Sequence, residues 1–365
     1  MYTRATCCTL WLLICAVLFV PLTSKAVAAA QAWYPVDIDI WQPPFNAQRQ
    51  RSQITYTPLE KASRSWQICT SIPHLKDAYW LAVNYALITE ARRLGVELSL
   101  FEAGGYEYLD MQREHIKQCL ADGADGLIIS AISQDGLEDL LLKANSQGVP
   151  VVDLINGMQS THISARIAAD FWDAGSLIGT YLLEKPAEGE PGFKVAWFPG
   201  PSGASWVSAG DAGFTEAIRD SNIEVVATRY GDTGQAAQSQ LVEEVLDQHG
   251  DGLDYIAGTA VTASAAVEVL RKRGMANDVG VLAYYYSPGV HRGIRRGTIL
   301  AAPSDQQALQ ARIAVDVMVR ILEKKEFVQH AAPRPLLIDR TKLQDWDTST
   351  TLAPRGFRPV YSTSN

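Results

Sequence analysis

Short apolar runs rich in β-branched residues alternate with amphipathic stretches from about residue 65 onwards. The apolar runs predict buried strands, and apolar spacings of three and four in the intervening stretches predict helices. The predicted strands cover residues 66–71, 96–102, 126–130, 149–155, 193–198, 223–229, 255–259 and 279–286. The predicted helices cover residues 80–94, 109–120, 137–145, 171–183, 207–219, 235–248, 260–274 and 306–324.

This strict alternation predicts an α/β protein whose parallel sheets are covered by helices on both faces. Two successive runs of about four strand–helix units predict two doubly wound lobes. The break between them falls near residues 156–164, where Asn156 and Gly157 form a turn signal.

The two ends of the chain differ from this pattern. Residues 29–59 are rich in Trp, Pro and Gln and show no clear period, which predicts an irregular N-terminal arm packed on the outside. From residue 331 onwards Pro333 and Pro335 interrupt the pattern, which predicts an extended tail lying across a lobe.

The first 28 residues carry the pattern of a secretory signal peptide. Arg4 precedes an unbroken apolar run over residues 10–20, Pro21 ends that run, and small residues follow at 26–30. The run is too short to span a bilayer comfortably, although an uncleaved anchor is the alternative interpretation. No later segment has a long apolar run, so the mature chain is expected to have no transmembrane helix.

Charge and cysteine usage narrow the class of protein. The formal net charge is −8, and removing residues 1–28 leaves 30 basic against 40 acidic residues, or −10. This negative charge argues against nucleic acid as a partner.

The mature chain keeps two cysteines, Cys69 and Cys119. An even pair in an exported protein suggests one disulfide, and two separate buried thiols are the alternative.

Aromatic residues recur where the predicted strands end, and ligands of open parallel sheets bind outside those carboxyl ends. Two such ends in each predicted lobe carry Trp or Tyr. A single ring at a strand end is more often core packing, but together the rings suggest a cage for a methylated ammonium group, with Asp77 as a nearby negative charge. The residues concerned include Tyr79, Trp80, Tyr106, Trp172, Trp206, Tyr284 and Tyr285.

The chain shows little sign of catalytic chemistry. None of its six histidines has a metal-binding spacing, although His74 and His162 could approach the cleft. Pro201 does not suit a nucleophile elbow, and residues 102–106 lack the third glycine of a dinucleotide fingerprint. We therefore expect a binding protein without a cofactor rather than an enzyme.

Several segments, at residues 66–69, 73–85, 102–106, 257–260, 291–297 and 356–361, resemble one known family. The most specific pieces are Lys76-Asp77-Ala78-Tyr79-Trp80 and Gly356-Phe357-Arg358-Pro359-Val360-Tyr361. From about residue 59 to 361 the chain resembles the TorT family of periplasmic trimethylamine N-oxide sensors.

This resemblance implies a type I periplasmic binding protein fold with a three-segment hinge near 156–164, 300–305 and 327–333. The first lobe would comprise 60–157 plus 304–328, and the second 163–302 plus the tail 333–365.

The resemblance also implies a ligand and a partner. Members of this family bind trimethylamine N-oxide and signal to the sensor domain of a TorS-like membrane histidine kinase that controls respiration genes. A solute-binding protein of an ABC importer, taking a methylated amine or a sugar, is the alternative. Sugar binders use Asp, Asn and Arg in the cleft, whereas the matching positions here offer Tyr and Trp.

Site residues follow from the same resemblance, position by position. It implies an aromatic box of Trp80 and Tyr106 from the first lobe and Trp172 and Tyr285 from the second. Asp77 would be the polar partner. Tyr79 is a further candidate, Phe171 competes with Trp172, and Tyr284 competes with Tyr285. The resemblance also favours pairing Cys69 with Cys119.

Overall fold

Alternating strands and helices form two mainly parallel sheets in the computed structural model, which describes residues 34–185 and 192–364. The predicted signal peptide, residues 1–28, lies outside the described residues. The strands are β1 (Val36–Trp41), β2 (Arg51–Tyr56), β3 (Gln67–Ile72), β4 (Glu97–Glu102), β5 (Gly126–Ile129), β6 (Val151–Leu154), β7 (Ala165–Ile167), β8 (Lys194–Gly200), β9 (Glu224–Tyr230), β10 (Tyr255–Gly258), β11 (Gly280–Ala283), β12 (Ala301–Ser304), β13 (His330–Ala332) and β14 (Leu336–Asp339). The helices are α1 (Ala78–Leu94), α2 (Leu109–Ala121), α3 (Glu138–Ser146), α4 (Phe171–Leu183), α5 (Ser205–Ile218), α6 (Gln235–His249), α7 (Ala260–Arg273), α8 (Pro288–Arg296) and α9 (Gln307–Leu322).

The first sheet runs in the order β2-β1-β13-β7-β6-β5-β3-β4, and the second runs β11-β10-β8-β9. Strands β3 to β7 pair in parallel, as do β8 to β11. This confirms the predicted α/β fold, and each of the eight predicted strands and eight predicted helices is present with its ends shifted by a few residues. Short β7, β12, β13, β14 and helix α8 were not predicted.

Helix α1 shows how local sequence positions a functional segment. Asp77 caps its N-terminus by accepting hydrogen bonds from the backbone N–H groups of Tyr79 and Trp80, and Gly95 ends it in the left-handed conformation, at φ 76°. A side-chain N-cap of this kind contributes about 1 kcal/mol. The same cap fixes the Asp77 carboxylate at the carboxyl end of β3.

Within the described part of the expected N-terminal arm, residues 34–59, the chain is not irregular: β1 and β2 form an antiparallel hairpin that extends the first sheet beside β13. The strand β1 alternates Val36, Ile38 and Ile40 with two aspartates, which is the period of a strand. One of these, Asp39, is buried and paired with Arg334 at 2.8 and 2.9 Å. The hairpin thereby covers a sheet edge that would otherwise be open.

The expected lobe boundaries stay a prediction, and the strand pairing shows which sheet the neighbouring segments join. The short strands β7 and β13 pair with each other, and β7 pairs with β6, so both belong to the first sheet. The tail first pairs β14 with β12, then returns to the first sheet rather than staying with the second. There Leu100 N–H donates to Tyr361 O at 2.8 Å, and Thr363 N–H donates to Leu98 O at 3.0 Å. The free backbone groups of edge strand β4 account for this return.

A disulfide joins Cys69 of β3 to Cys119 of α2 with a sulfur–sulfur distance of 1.97 Å, so the predicted pairing is confirmed. It fastens α2 to β3, which lies next to the edge strand β4, beside a small apolar core that contains both cysteines. Among the described residues, no helix combines the length and apolar character needed to cross a membrane.

Candidate ligand site

A small cavity lies where the carboxyl ends of the first-sheet strands face α4, α5 and the loops that follow the second-sheet strands. The space open to the centre of a water-sized sphere is about 20 Å³, which is room for about one water, so the walls lie close together in this structure. We call this cavity the chamber. Six of its ten lining residues are aromatic: the lining comprises Asp77, Tyr79, Trp80, Tyr106, Ile155, Asn156, Phe171, Trp206, Thr233 and Tyr285.

The first-sheet wall comprises Asp77, Tyr79, Trp80, Tyr106 and Asn156. Hydrogen bonds orient two of its rings. The Tyr79 hydroxyl donates to Asp305 Oδ2 at 2.6 Å. Asn156 Nδ2 donates to the Tyr106 hydroxyl at 3.1 Å and to a backbone carbonyl at 2.7 Å. The ring positions on this wall therefore depend on specific polar partners.

The second-sheet wall comprises Phe171, Trp206 and Tyr285, and ring-on-ring contacts hold it. The Trp206 centroid lies 5.6 Å from that of Phe171 and 6.1 Å from that of Tyr285. Tyr285 also meets Tyr79 of the opposite wall edge to face, with centroids 5.3 Å apart. Such tilted and edge-to-face arrangements are the favoured geometries for aromatic pairs. The two walls thus enclose the chamber with rings on several sides.

A buried aromatic layer supports the second-sheet wall from behind. Tyr284 is fully buried, its hydroxyl donates to Pro199 O at 2.5 Å, and its ring lies 5.9 Å from Trp206. Trp197 stacks on Phe214 at 4.3 Å and also contacts Tyr284 at 5.2 Å. The wall is therefore continuous with the core of the second sheet.

The structure brings most of the predicted site residues to the chamber: Asp77, Tyr79, Trp80, Tyr106, Phe171 and Tyr285. It does not place Trp172 or Tyr284 in the lining. Trp172 instead lies beneath the Arg49 guanidinium, 3.9 Å from its ring centre. Because neighbouring residues on a helix point about 100° apart, Phe171 and Trp172 at the start of α4 cannot both face the chamber. That the six predicted residues in the chamber lining contact a ligand stays a prediction.

The site implied by the family resemblance left out four of the lining residues, namely Ile155, Asn156, Thr233 and Trp206. Trp206 was among the strand-end aromatics of the sequence, because it follows strand β8, but the resemblance did not assign it to the box. Asn156 was interpreted only as part of a turn, whereas its amide also orients Tyr106.

Burial controls the charges around the chamber. It raises the pKa of Asp77 to about 6, although Trp80 N–H, Tyr79 N–H and the Lys76 ammonium oppose this shift. Burial also lowers the pKa of His74 to about 3, so this ring is neutral at physiological pH. His74 Nε2 lies 3.2 Å from Thr233 Oγ1. The chamber therefore offers neutral rings and one carboxylate that ionises near neutral pH.

Such a site can hold a small cation or a dipolar molecule with a cationic centre, because the ring faces and the carboxylate both attract positive charge. Among the described residues, no group of three or more His, Cys, Asp or Glu side chains is arranged to hold a metal ion.

Two facing parallel-sheet units with a small chamber at their strand ends define a periplasmic binding protein. In agreement, the family model described as a periplasmic binding protein domain matches residues 68–326. The periplasmic protein TorT of Escherichia coli K12 is 35% identical over 306 residues, which cover 84% of this chain and 86% of that protein. The chain therefore belongs to the TorT family of periplasmic binding proteins.

Two sets of solved structures resemble the fold. An ABC transporter solute-binding protein from Bradyrhizobium sp. BTAi1, solved with bound bis-tris, is 46% identical, with a TM-score of 0.78, and the match covers 90% of this chain and 98% of that one. Complexes of TorT with the TorS sensor domain, without ligand and with TMAO (trimethylamine N-oxide), match at 31% identity and a TM-score of 0.74. Those matches cover 81% of this chain and all of the matched chain.

Proposed function

We propose that this protein is a periplasmic receptor that binds trimethylamine N-oxide and passes the bound state to the sensor domain of a TorS-like membrane histidine kinase. The observation that carries the proposal is the aromatic chamber with Asp77 in its wall. Trimethylamine N-oxide is a compact dipole with three methyl groups on a cationic nitrogen. Ring faces attract such a nitrogen by roughly 0.5–2 kcal/mol each.

The kinase partner in this proposal is supported by family membership and by the TorT complexes solved with the TorS sensor domain. Binding would act by stabilising one arrangement of the two walls, since a ligand that contacts both favours the state in which they are close. The state in which the walls are close would include contacts between a loop that follows a first-sheet strand and a loop that follows a second-sheet strand. One is the ion pair of Lys76 with Asp232 at 2.7 Å, and another joins His74 to Thr233.

Export and the absence of catalysis are parts of the same proposal. Residues 1–28 would direct the chain to the periplasm, where the Cys69–Cys119 disulfide is stable. The protein would act by binding alone, because its family consists of binding and sensor proteins.

A solute-binding role in an ABC importer is the second candidate, and the Bradyrhizobium relative favours it. That protein is described as an ABC transporter component with bound bis-tris, a tertiary amine that carries hydroxyl groups. A sugar is a weaker candidate, because six of the ten chamber residues are aromatic.

The two roles separate in a strain that lacks this gene. If the protein is a kinase accessory, trimethylamine N-oxide no longer induces transcription of the respiration genes, while uptake of labelled methylated amines continues. A plasmid copy restores induction. Retained induction together with lost uptake would contradict the sensor role and support the importer.

A further inference from the structure

Trp206 carries a polar atom that the described chain leaves unused. It lies in the first turn of α5, lines the chamber and is only 5% exposed. No group in the described residues accepts a hydrogen bond from its buried Nε1. Among the chamber-lining residues that the structure describes, Trp206 is the one with such an unpartnered buried atom.

The neighbouring polar groups of the chamber are already engaged. Tyr79 donates to Asp305, Asn156 donates to Tyr106 and to a backbone carbonyl, and Thr233 contacts His74. Burial raises the pKa of the Tyr106 hydroxyl, and the neighbouring Trp206 indole opposes this shift. The indole and the hydroxyl nevertheless lack the geometry of a normal hydrogen bond. A buried donor without a partner is unfavourable by about 1–3 kcal/mol, so a ligand that supplies an acceptor would relieve this penalty.

Packing holds the indole in this orientation. Its ring is 5.6 Å from Phe171 and 5.9 Å from Tyr284. Gly200 makes room for it, because a Cβ at that glycine would lie 2.6 Å from the indole Cη2. The Ser205 hydroxyl also donates to Gly157 O at 2.8 Å, which fixes the start of α5. A donor held in place in this way loses little freedom when a ligand binds.

We infer that Trp206 is a specificity-determining residue whose Nε1–H donates a hydrogen bond to an oxygen of the ligand, next to its methylated ammonium centre. This inference rests on the proposed function and adds a selection rule to it. Rings and a carboxylate alone would accept any small ammonium ion. The indole N–H would favour amine oxides and oxygen-bearing ammonium compounds over simple alkylammonium ions of the same size.

Trimethylamine N-oxide and tetramethylammonium test this rule, because they share a shape and differ by one oxygen in place of a methyl group. Calorimetric titration gives the affinity ratio of the two in the unaltered protein, in Trp206→Phe and in Phe171→Leu. Trp206→Phe keeps a ring but removes the donor, whereas Phe171→Leu removes a ring and no donor. Trp206→Leu is a second donor-free variant, and thermal unfolding checks that each variant is folded.

We expect both Trp206 variants to shift the ratio about tenfold against trimethylamine N-oxide, the effect of one lost hydrogen bond, and Phe171→Leu to leave the ratio unchanged. An unchanged ratio in Trp206→Phe would overturn the inference while the proposed function stands. Failure of both compounds to bind the unaltered protein would overturn the proposed function and the inference with it.

Discussion

Hydrogen bonds orient the rings on the first-sheet wall of the chamber, whereas the rings of the second-sheet wall are held mainly by one another. Tyr79 and Tyr106 each have a polar partner, Asp305 and Asn156. Trp206 packs among other rings and its own polar atom has no partner in the described chain. The first-sheet wall is therefore sensitive to single polar changes, and the second-sheet wall is sensitive to loss of packing volume.

The largest expected effect comes from the layer behind the second-sheet wall. Phe214 is fully buried and stacks on Trp197, so Phe214→Ala should lower the free energy of unfolding by about 3–5 kcal/mol. Urea unfolding followed by tryptophan fluorescence measures this. Truncation of exposed Leu142 on α3 to Ala is the control and should change little. Equal losses in the two variants would contradict a wall held by packing.

The next effect compares two tryptophans, one from each side of the predicted box. Trp80 lines the chamber and Trp172 does not. Trp80→Leu should weaken trimethylamine N-oxide binding by up to about 30-fold, the loss of one favourable ring contact, whereas Trp172→Leu should stay within about twofold. Titration calorimetry measures both affinities. A larger loss of affinity in Trp172→Leu than in Trp80→Leu would contradict the assignment of Trp80, and not Trp172, to the chamber.

The smallest expected effect is electrostatic and belongs to the first-sheet wall. Because burial raises the pKa of Asp77 to about 6, its carboxylate is ionised above that pH and protonated below it. The charge of tetramethylammonium does not titrate, so its affinity should follow the ionisation of Asp77. Below pH 6 that affinity should fall by at most about tenfold for each pH unit. Affinities measured by calorimetry between pH 7.5 and pH 5 test this.

Asp77→Asn is the matched control, because Asn caps a helix about as well as Asp and does not titrate. It should bind tetramethylammonium weakly with a flatter pH profile. Asp305, whose pKa burial also raises to about 6, remains in this variant and contacts Tyr79. Persistence of the full pH dependence in Asp77→Asn would assign it to Asp305. Raised carboxyl pKa values favour the folded state at low pH, so neither carboxyl should make the free protein unfold at pH 5.

The repeating framework was predictable because each of its strands and helices carries a strong period that packing on a parallel sheet requires. Most of the first-sheet wall was equally predictable, since Asp77, Tyr79 and Trp80 form one compact motif at a helix start, whereas Asn156 was missed. On the second-sheet wall, the choice between Phe171 and Trp172 depended on the exact placement of α4. Side chains of neighbouring helix residues point about 100° apart, so only one of the two can face the chamber.

Other features depend on distant pairing that no local pattern contains. Trp206 faces the chamber because Gly200 admits its ring, which is a contact between a strand end and the following helix. The hairpin β1–β2 has a strand-like alternation, but its partner β13 comes almost three hundred residues later. The return of the tail to β4 likewise depends on the free edge of the first sheet.

The most direct test of the account is calorimetric titration of the mature protein with trimethylamine N-oxide, and with ribose as the control. We expect saturable binding of trimethylamine N-oxide at one site per chain, lost or greatly weakened in Trp80→Leu, and no heat of binding with ribose. Binding of ribose without trimethylamine N-oxide, or an affinity that Trp80→Leu leaves unchanged, would contradict this expectation.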